Sequence, residues 1–320
     1  MRNQVKFCSY LTGDINFEPA SIQPCCNTRG LDAVPSLPFT GGRVDIAAYT
    51  EHIHAAFNAL QNGGPLCSGC PNLLDVSPDT VRPVSRENIL FRTVSMNQHR
   101  HLCNCRCVYC TLWQKSSPSY AILPALKSLW QQQALSRNCF FSWGGGEPSI
   151  LREFEEASRW ILAKGFQQYV HTNALRYSPT IAEVLASGKG GVNVSLDSAN
   201  PETYKAVKGI DGFARVAENL RRYIDAATVR DAVHVKYIIF ALNNQLDAID
   251  AFFNLCRDLG VTNVQFSFDF REVNNRELSD ASLEAALLFM HNAGHLNMMC
   301  TPFFVDDIIM RRLENLAQSL

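Results

Sequence analysis

Cys103, Cys107 and Cys110 share a C-x3-C-x2-C spacing within the run His101-Leu102-Cys103-Asn104-Cys105-Arg106-Cys107-Val108-Tyr109-Cys110. That spacing lets one short loop wrap three thiolates around one face of a cubic iron–sulfur cluster. Three protein ligands leave one iron open, and an open coordination position is where catalytic metal sites chelate a substrate or cofactor. A structural zinc loop is the alternative, with His99, His101 or Cys105 as the fourth ligand. A second group of thiols precedes this loop: Cys8, the adjacent Cys25 and Cys26, and the Cys67-Ser68-Gly69-Cys70 hook. Together they can supply four thiolates, to iron–sulfur or to zinc. Cys139 and Cys256 read instead as small buried apolar residues.

These side chains need a scaffold, and the pattern of the chain changes near residue 85. From about residue 89 short apolar strands alternate with helical patterns, as parallel β/α units do. Strands are expected over Ile89–Asn97, Cys139–Trp143, Gln168–Thr172, Gly191–Leu196, Val233–Phe240 and Val261–Phe270. Helices are expected near 119–135, 152–164, 179–187, 212–226, 246–258 and 280–292. Phe213, Val216, Leu220 and Ile224 recur at helical spacing opposite Arg215, Glu218, Arg221 and Arg222, so that helix packs on one side only. Before residue 85 the chain reads as loop-rich, with a hairpin beginning at Ile15-Asn16-Phe17.

Six β/α units suit an open, partial barrel. In the last strand Val264, Phe266, Phe268 and Phe270 share one face and Gln265, Ser267 and Asp269 the other. The same split groups Tyr169, His171 and Asn173, then Asn193, Ser195 and Asp197, then His234 with Lys236. Polar inward positions predict a ligand cavity, open at the carboxyl ends of the strands, where a closed barrel would be filled by apolar side chains. Asp269 and Lys236 are the candidates for acid–base or binding contacts with a substrate.

Nearly half of the residues are apolar and 18% are charged, which suits a large buried core and argues against wholesale disorder. Lysine plus arginine (29) balance aspartate plus glutamate (30), so the diffuse positive field used by non-specific nucleic-acid binders is missing and no nucleic-acid partner is expected. No run has the pattern of a signal peptide or a membrane span. A cytoplasmic location without a membrane partner is therefore expected. Thiols stay reduced there, which leaves metal ligation as the leading use for twelve cysteines.

The cysteine loop after the first strand, Gly144-Gly145-Gly146-Glu147-Pro148 at the end of the second, Thr172-Asn173 at the end of the third, and Val194-Ser195-Leu196-Asp197-Ser198 with Pro201-Glu202-Thr203-Tyr204 at the fourth stand in one order. Residues 88–270 thereby resemble the radical S-adenosylmethionine (radical SAM) superfamily. The resemblance implies a 4Fe–4S cluster on Cys103, Cys107 and Cys110, with Tyr109 against the adenine of bound S-adenosylmethionine. It implies that Gly144, Gly145, Gly146 and Glu147 hold the amino group of the methionine part. Glycine permits close backbone approach, and exposed carbonyls accept hydrogen bonds from an ammonium group. Asn173 falls at the family's third-strand end, and Ser195 and Asp197 in its fourth-strand ribose region. Cys105 stands where an apolar residue is commoner, which implies a buried thiol.

Cys8, Cys25, Cys67 and Cys70 look like the ligands of auxiliary-cluster domains of the SPASM or Twitch type, and imply a second 4Fe–4S cluster. Such a domain usually follows the barrel; here it precedes it. Cys25 is preferred to Cys26 because Pro24-Cys25 matches the family's proline-cysteine motif. The expected architecture is α/β: a small loop-rich iron–sulfur domain over residues 1–85, then a partial (βα)6 TIM-type barrel with C-terminal helices over 86–320. The implied reaction is reductive cleavage of S-adenosylmethionine to a radical that abstracts hydrogen from a substrate. A peptide to be oxidised, cross-linked or epimerised is favoured over a sugar or other small metabolite. A flavodoxin- or ferredoxin-type protein is the expected low-potential electron donor. The competing class is a non-catalytic iron–sulfur or zinc module acting as scaffold or electron carrier, and Gly144–Glu147 argues against it, since such a module needs no methionine-binding strand end.

Overall fold

The alternation of strands and helices expected from residue 89 onward is present in the structure, a computed structural model that describes residues 4–25, 34–64, 66–67, 70, 72–81, 89–275 and 278–319. Contacts group the chain into two units. The first comprises Met1–His101, Lys115–Gly146 and Leu151–Gln168; the second comprises Leu102–Gln114, Glu147–Ile150 and Tyr169–Leu320.

The first unit holds β1 (Val5–Phe7), α1 (Tyr10–Gly13), β2 (Asp14–Glu18), β3 (Ser21–Gln23), β4 (Leu37–Pro38), α2 (Ile46–Gln61), β5 (Leu74–Val76), β6 (Phe91–Met96), α3 (Leu123–Gln131), β7 (Leu135–Trp143) and α4 (Phe154–Ala163). Its strands lie in the order β7-β6-β2-β3-β4, with β2, β6 and β7 parallel, and β1 and β5 form a separate antiparallel ribbon. The hairpin expected at Ile15 is β2 and β3, paired antiparallel through Phe17 and Ile22. Ile15 and Phe17 are fully buried, so β2 extends the sheet beyond β6. The reading of this region as loop-rich missed α2, in which Ile46, Tyr49, Thr50, Ile53, Ala56 and Leu60 are buried at helical spacing and Asp45 caps the first turn by accepting from the Ala48 amide.

β8 (Gln167–Thr172) leads into the second unit. That unit continues with α5 (Pro179–Ala186), β9 (Gly190–Ser195), α6 (Pro201–Lys208), α7 (Phe213–Ala226), β10 (Val233–Ile239), α8 (Leu246–Leu259), β11 (Asn263–Phe268), α9 (Phe270–Asn275), α10 (Asp280–His295), β12 (Met299–Pro302) and α11 (Asp307–Ser319). The strand order is β12-β11-β10-β9-β8, and β9 to β12 are parallel. Parity works as expected on β10: Val233, Val235, Tyr237 and Ile239 are buried, while His234, Lys236 and Ile238 alternate with them and keep some exposure. Tyr237 and Phe266 pack with Phe252, Phe253 and Phe289 from α8 and α10, an aromatic layer that holds helices to the sheet.

Two expectations need correction. β11 ends at Phe268, not Phe270, because the Asp269 carboxylate accepts from the Arg271 amide (2.9 Å) and starts α9, which leaves Phe270 half-exposed. The buried face of α7 is turned toward Asn219 and Tyr223, whose polar tips bond the Ala174 carbonyl (2.8 Å) and the Ser178 amide (2.9 Å). Among the described residues no helix is long and apolar enough to cross a membrane.

Candidate active site

The loop bearing Cys103, Cys107 and Cys110 lies in the second unit and is fixed by its backbone. The Arg106 amide donates to the Lys208 carbonyl (2.8 Å), the Val108 amide to the Val207 carbonyl (3.0 Å), and the Leu102 carbonyl accepts from the Glu147 amide (2.7 Å). α6 can present those carbonyls because it stops at Gly209, whose φ of +67° is left-handed and where a Cβ would stand 2.7 Å from the Arg106 carbonyl oxygen. All three thiols keep partial exposure, while Cys105 is buried, as expected. The Cys105 thiol is hydrogen-bonded to Cys107 and lowers its pKa to about 6 in spite of burial, with the Lys208 charge helping. It acts likewise on Cys103, which also receives the Cys105 amide at 3.4 Å. Burial raises the Cys110 thiol, so Cys103 and Cys107 are the two that the loop prepares as thiolates.

Glu147 is buried, and its carboxylate accepts from the Thr172 hydroxyl (2.8 Å), the Asn173 amide (2.7 Å) and the Ser149 amide (3.1 Å). Burial raises its pKa, against the pull of those donors. Asn173 in turn donates from its side chain to Asn104 (2.7 Å) and toward the Cys103 sulfur (3.7 Å), so the third-strand end, Glu147 and the cysteine loop form one bonded group. Gly144, Gly145 and Gly146 belong to the first unit. There the Gly144 amide donates to the Met96 carbonyl (3.2 Å), and Gly145 has φ +82° with the Arg100 side chain 2.9 Å from where a Cβ would be. Arg100 is held in that place by an ion pair with Glu18.

Asp197 is fully buried at φ +61°. Its carboxylate accepts from the Tyr109 hydroxyl (2.6 Å), the Ile238 amide (2.7 Å) and the Lys208 ammonium. Lys208 is buried as well and lies 3.2 Å from the Tyr109 hydroxyl. Burial works against its charge and Asp197 outweighs that, so its pKa is raised. Sequence reasoning missed Lys208. The signal was its position four residues after Tyr204, on the buried face of α6. Ser195 lies beside Lys236 in the β9–β10 register. Asp269 is held through both oxygens by the Arg271 guanidinium, whereas among the described residues the Lys236 ammonium meets only the Phe303 ring, 5.4 Å away.

The N-terminal thiols are all in the first unit. Pairing of β1 with β5 draws Cys8 toward Cys67 and Cys70, and the three are within electrostatic reach of one another. Burial pushes the Cys67 thiol up to about 11 and raises Cys8 too. Cys25 lies by the buried Tyr49, with its carbonyl accepting from Asn16 (3.4 Å). Cys26, Ser68 and Gly69 fall outside the described residues. Among the described residues no three His, Cys, Asp or Glu side chains converge as ligands of a single ion do. A cubic cluster asks less convergence, since each thiolate binds its own iron.

The description of the radical SAM superfamily matches residues 98–256. Residues 98–256 are a radical SAM domain. The chain is accordingly an enzyme of a family that uses a 4Fe–4S cluster and S-adenosylmethionine. Over 168 residues, 51% of this chain, it is 25% identical to a "Probable GTP 3′,8-cyclase" of Saccharolobus islandicus, covering 53% of that protein. It is 29% identical to "Mycofactocin maturase MftC" of Mycolicibacterium smegmatis over 51% of this chain and 41% of that one. The radical SAM chain thus spans about half the length of the curated relatives it matches. The structure of Streptococcus suis SuiB bound to precursor peptide SuiA superposes with a TM-score of 0.55 at 11% identity, over 98% of this chain and 75% of SuiB. At that identity the likeness shows the fold alone, and the fold is the expected α/β partial-barrel class.

Proposed function

We propose that this radical SAM enzyme abstracts hydrogen from a peptide as the first step of its oxidation, cross-linking or epimerisation. The observation that carries this reading is the bonded group in the second unit, where the cysteine loop, Glu147, Asn173, Tyr109, Asp197 and Lys208 constrain one another. Cys103, Cys107 and Cys110 would hold the cluster; Glu147 and the Gly144–Gly146 backbone would receive the methionine ammonium of the cofactor. When bound, cluster and cofactor supply the reductive carbon–sulfur cleavage that yields methionine and a 5′-deoxyadenosyl radical. Tyr109 is oriented by Asp197 and so offers a fixed ring edge to the adenine, while Asn173 and Ser195 complete the cofactor surface. Lys236 would contact substrate, and Asp269 would act through Arg271, whose guanidinium it orients. The electron comes from a flavodoxin- or ferredoxin-type donor.

On this reading residues 1–85 carry a second 4Fe–4S cluster on Cys8, Cys25, Cys67 and Cys70, and residues 86–320 the radical SAM barrel with its C-terminal helices, although β2 pairs with β6 across that boundary. The peptide is favoured by the names of MftC, a maturase, and of SuiB with its precursor peptide. A small metabolite is the second reading, favoured by the 168-residue match to a GTP cyclase. The test is to supply reduced enzyme with S-adenosylmethionine and either any short peptides encoded beside its gene or GTP. Mass loss or deuterium uptake in a peptide, in step with 5′-deoxyadenosine, supports the first reading. A cyclised nucleotide with unchanged peptides overturns it.

A further inference from the structure

We propose that Lys236 and His171 form a subsite for a single carboxylate of the substrate, seated beside the Phe303 ring in the second unit. The proposal rests on the hydrogen-abstraction reading of the same site and adds the chemistry by which the substrate is recognised. Lys236 is in the middle of β10, in register with Ser195 of β9 and Gln265 of β11. Among the described residues its ammonium has no hydrogen bond and no ion pair, only the Phe303 ring. His171 stands by the same ring, 5.9 Å between centroids, and 5.1 Å from Tyr169, again with no hydrogen-bond partner among the described residues. Burial lowers its pKa to about 3, so near neutrality the imidazole is uncharged and offers one N–H donor.

Several polar neighbours are already engaged. Tyr169 and Gln265 both bond the His234 ring (2.6 and 2.9 Å), and Asn193 donates to Gln265 (2.7 Å). Asp197 is taken by Lys208, Tyr109 and the Ile238 amide, and Asp269 by Arg271, so neither is paired with Lys236, although the Asp197 charge still favours its ammonium. A largely buried ammonium with no ion-pair partner is costly, and burial lowers the pKa of Lys236 against the pull of the Asp197 charge. An incoming anion relieves that cost. Its charge follows from the cations among the described residues: Lys208 and Arg271 are each committed to a carboxylate, which leaves one ammonium and one neutral donor. That pair matches a monoanionic carboxylate, not a triphosphate, which calls for several cations.

The experiment uses the enzyme reconstituted with its iron–sulfur clusters and loaded with S-adenosylmethionine. The probes are N-acetylglutamic acid α-amide, which carries one carboxylate, its neutral glutamine counterpart, and GTP. The acid should bind the native enzyme and Lys236→Arg, and about tenfold more weakly Lys236→Met, a loss of about 1.4 kcal/mol. His171→Phe keeps the ring packing and should lose a few-fold, which preserves the test if Lys236→Met does not fold. Equal binding of acid and amide, or an unchanged affinity in both variants, overturns the proposal. So does GTP binding where the acid does not, which would make the subsite a polyphosphate one. A tenfold weaker affinity of Lys236→Met for S-adenosylmethionine also overturns it, because the carboxylate would then be the cofactor's. None of these outcomes depends on the substrate being a peptide, so the peptide reading stands or falls separately.

Discussion

Cys103, Cys107 and Cys110 occupy a loop whose backbone is bonded at both ends to α6 and to Glu147, whereas Cys8, Cys67 and Cys70 lie beside a ribbon of two three-residue strands. The first set spans eight residues and is ordered by buried polar partners that follow β8 and β9, Asn173 and Asp197, and by Lys208 of α6. The second is gathered from positions about sixty residues apart, with an exposed ion pair, Lys6 to Asp75, beside it. Ordering a long closure costs chain entropy that few local contacts offset. A cluster bound by the N-terminal thiols would therefore itself stabilise that region, while the barrel loop is held by the protein before any metal arrives.

The largest test of this difference is Lys208→Met, which strands the buried Asp197 and should cost about 3–5 kcal/mol of stability with iron removed, read from denaturant midpoints. Pairing it with Asp197→Leu should recover part of that loss; no recovery would mean that the ion pair does not organise the loop. Glu147→Gln comes next. It replaces one acceptor oxygen of the group shared with Thr172, Asn173 and Ser149, at about 1–3 kcal/mol, and should weaken S-adenosylmethionine binding in calorimetry while iron content stays the same. Gly145→Val forces a side chain into φ +82° against Arg100, a cost of about 1–3 kcal/mol, and should lower cofactor affinity in the same assay. The smallest effect on cofactor cleavage should come from Cys67→Ala/Cys70→Ala, which loses the second cluster's iron and still forms 5′-deoxyadenosine. If that variant retained its full iron, the N-terminal thiols would have no role as ligands.

The comparison also explains what could be read from the sequence. The cysteine loop, Glu147 and Asn173 are local motifs at strand ends, and strand parity identified the polar residues of β8 to β11 because alternate side chains face opposite ways. Long-range partners left weaker traces. Lys208 looked like an ordinary helical lysine until Asp197 was found against it, and Asp269 looked like a free acid until Arg271, two residues on, took both its oxygens. α2 was hidden in a segment dominated by cysteines, prolines and glycines, although Ile46, Tyr49, Ile53 and Leu60 mark its buried face. β12 is four residues long and ends in proline, too short for alternation to show, and its place is set by pairing with β11.

The central claim is that the loop of Cys103, Cys107 and Cys110 supports radical formation independently of the N-terminal thiols. It is tested most directly by iron content and 5′-deoxyadenosine yield in Cys103→Ala/Cys107→Ala/Cys110→Ala, purified without oxygen and reduced beside the native enzyme. The native enzyme should hold about eight irons and cleave S-adenosylmethionine; the variant should keep about half of that iron, with its charge-transfer absorption, and form no 5′-deoxyadenosine. A variant that still cleaves the cofactor, or one left with stoichiometric zinc and no iron, would contradict the account.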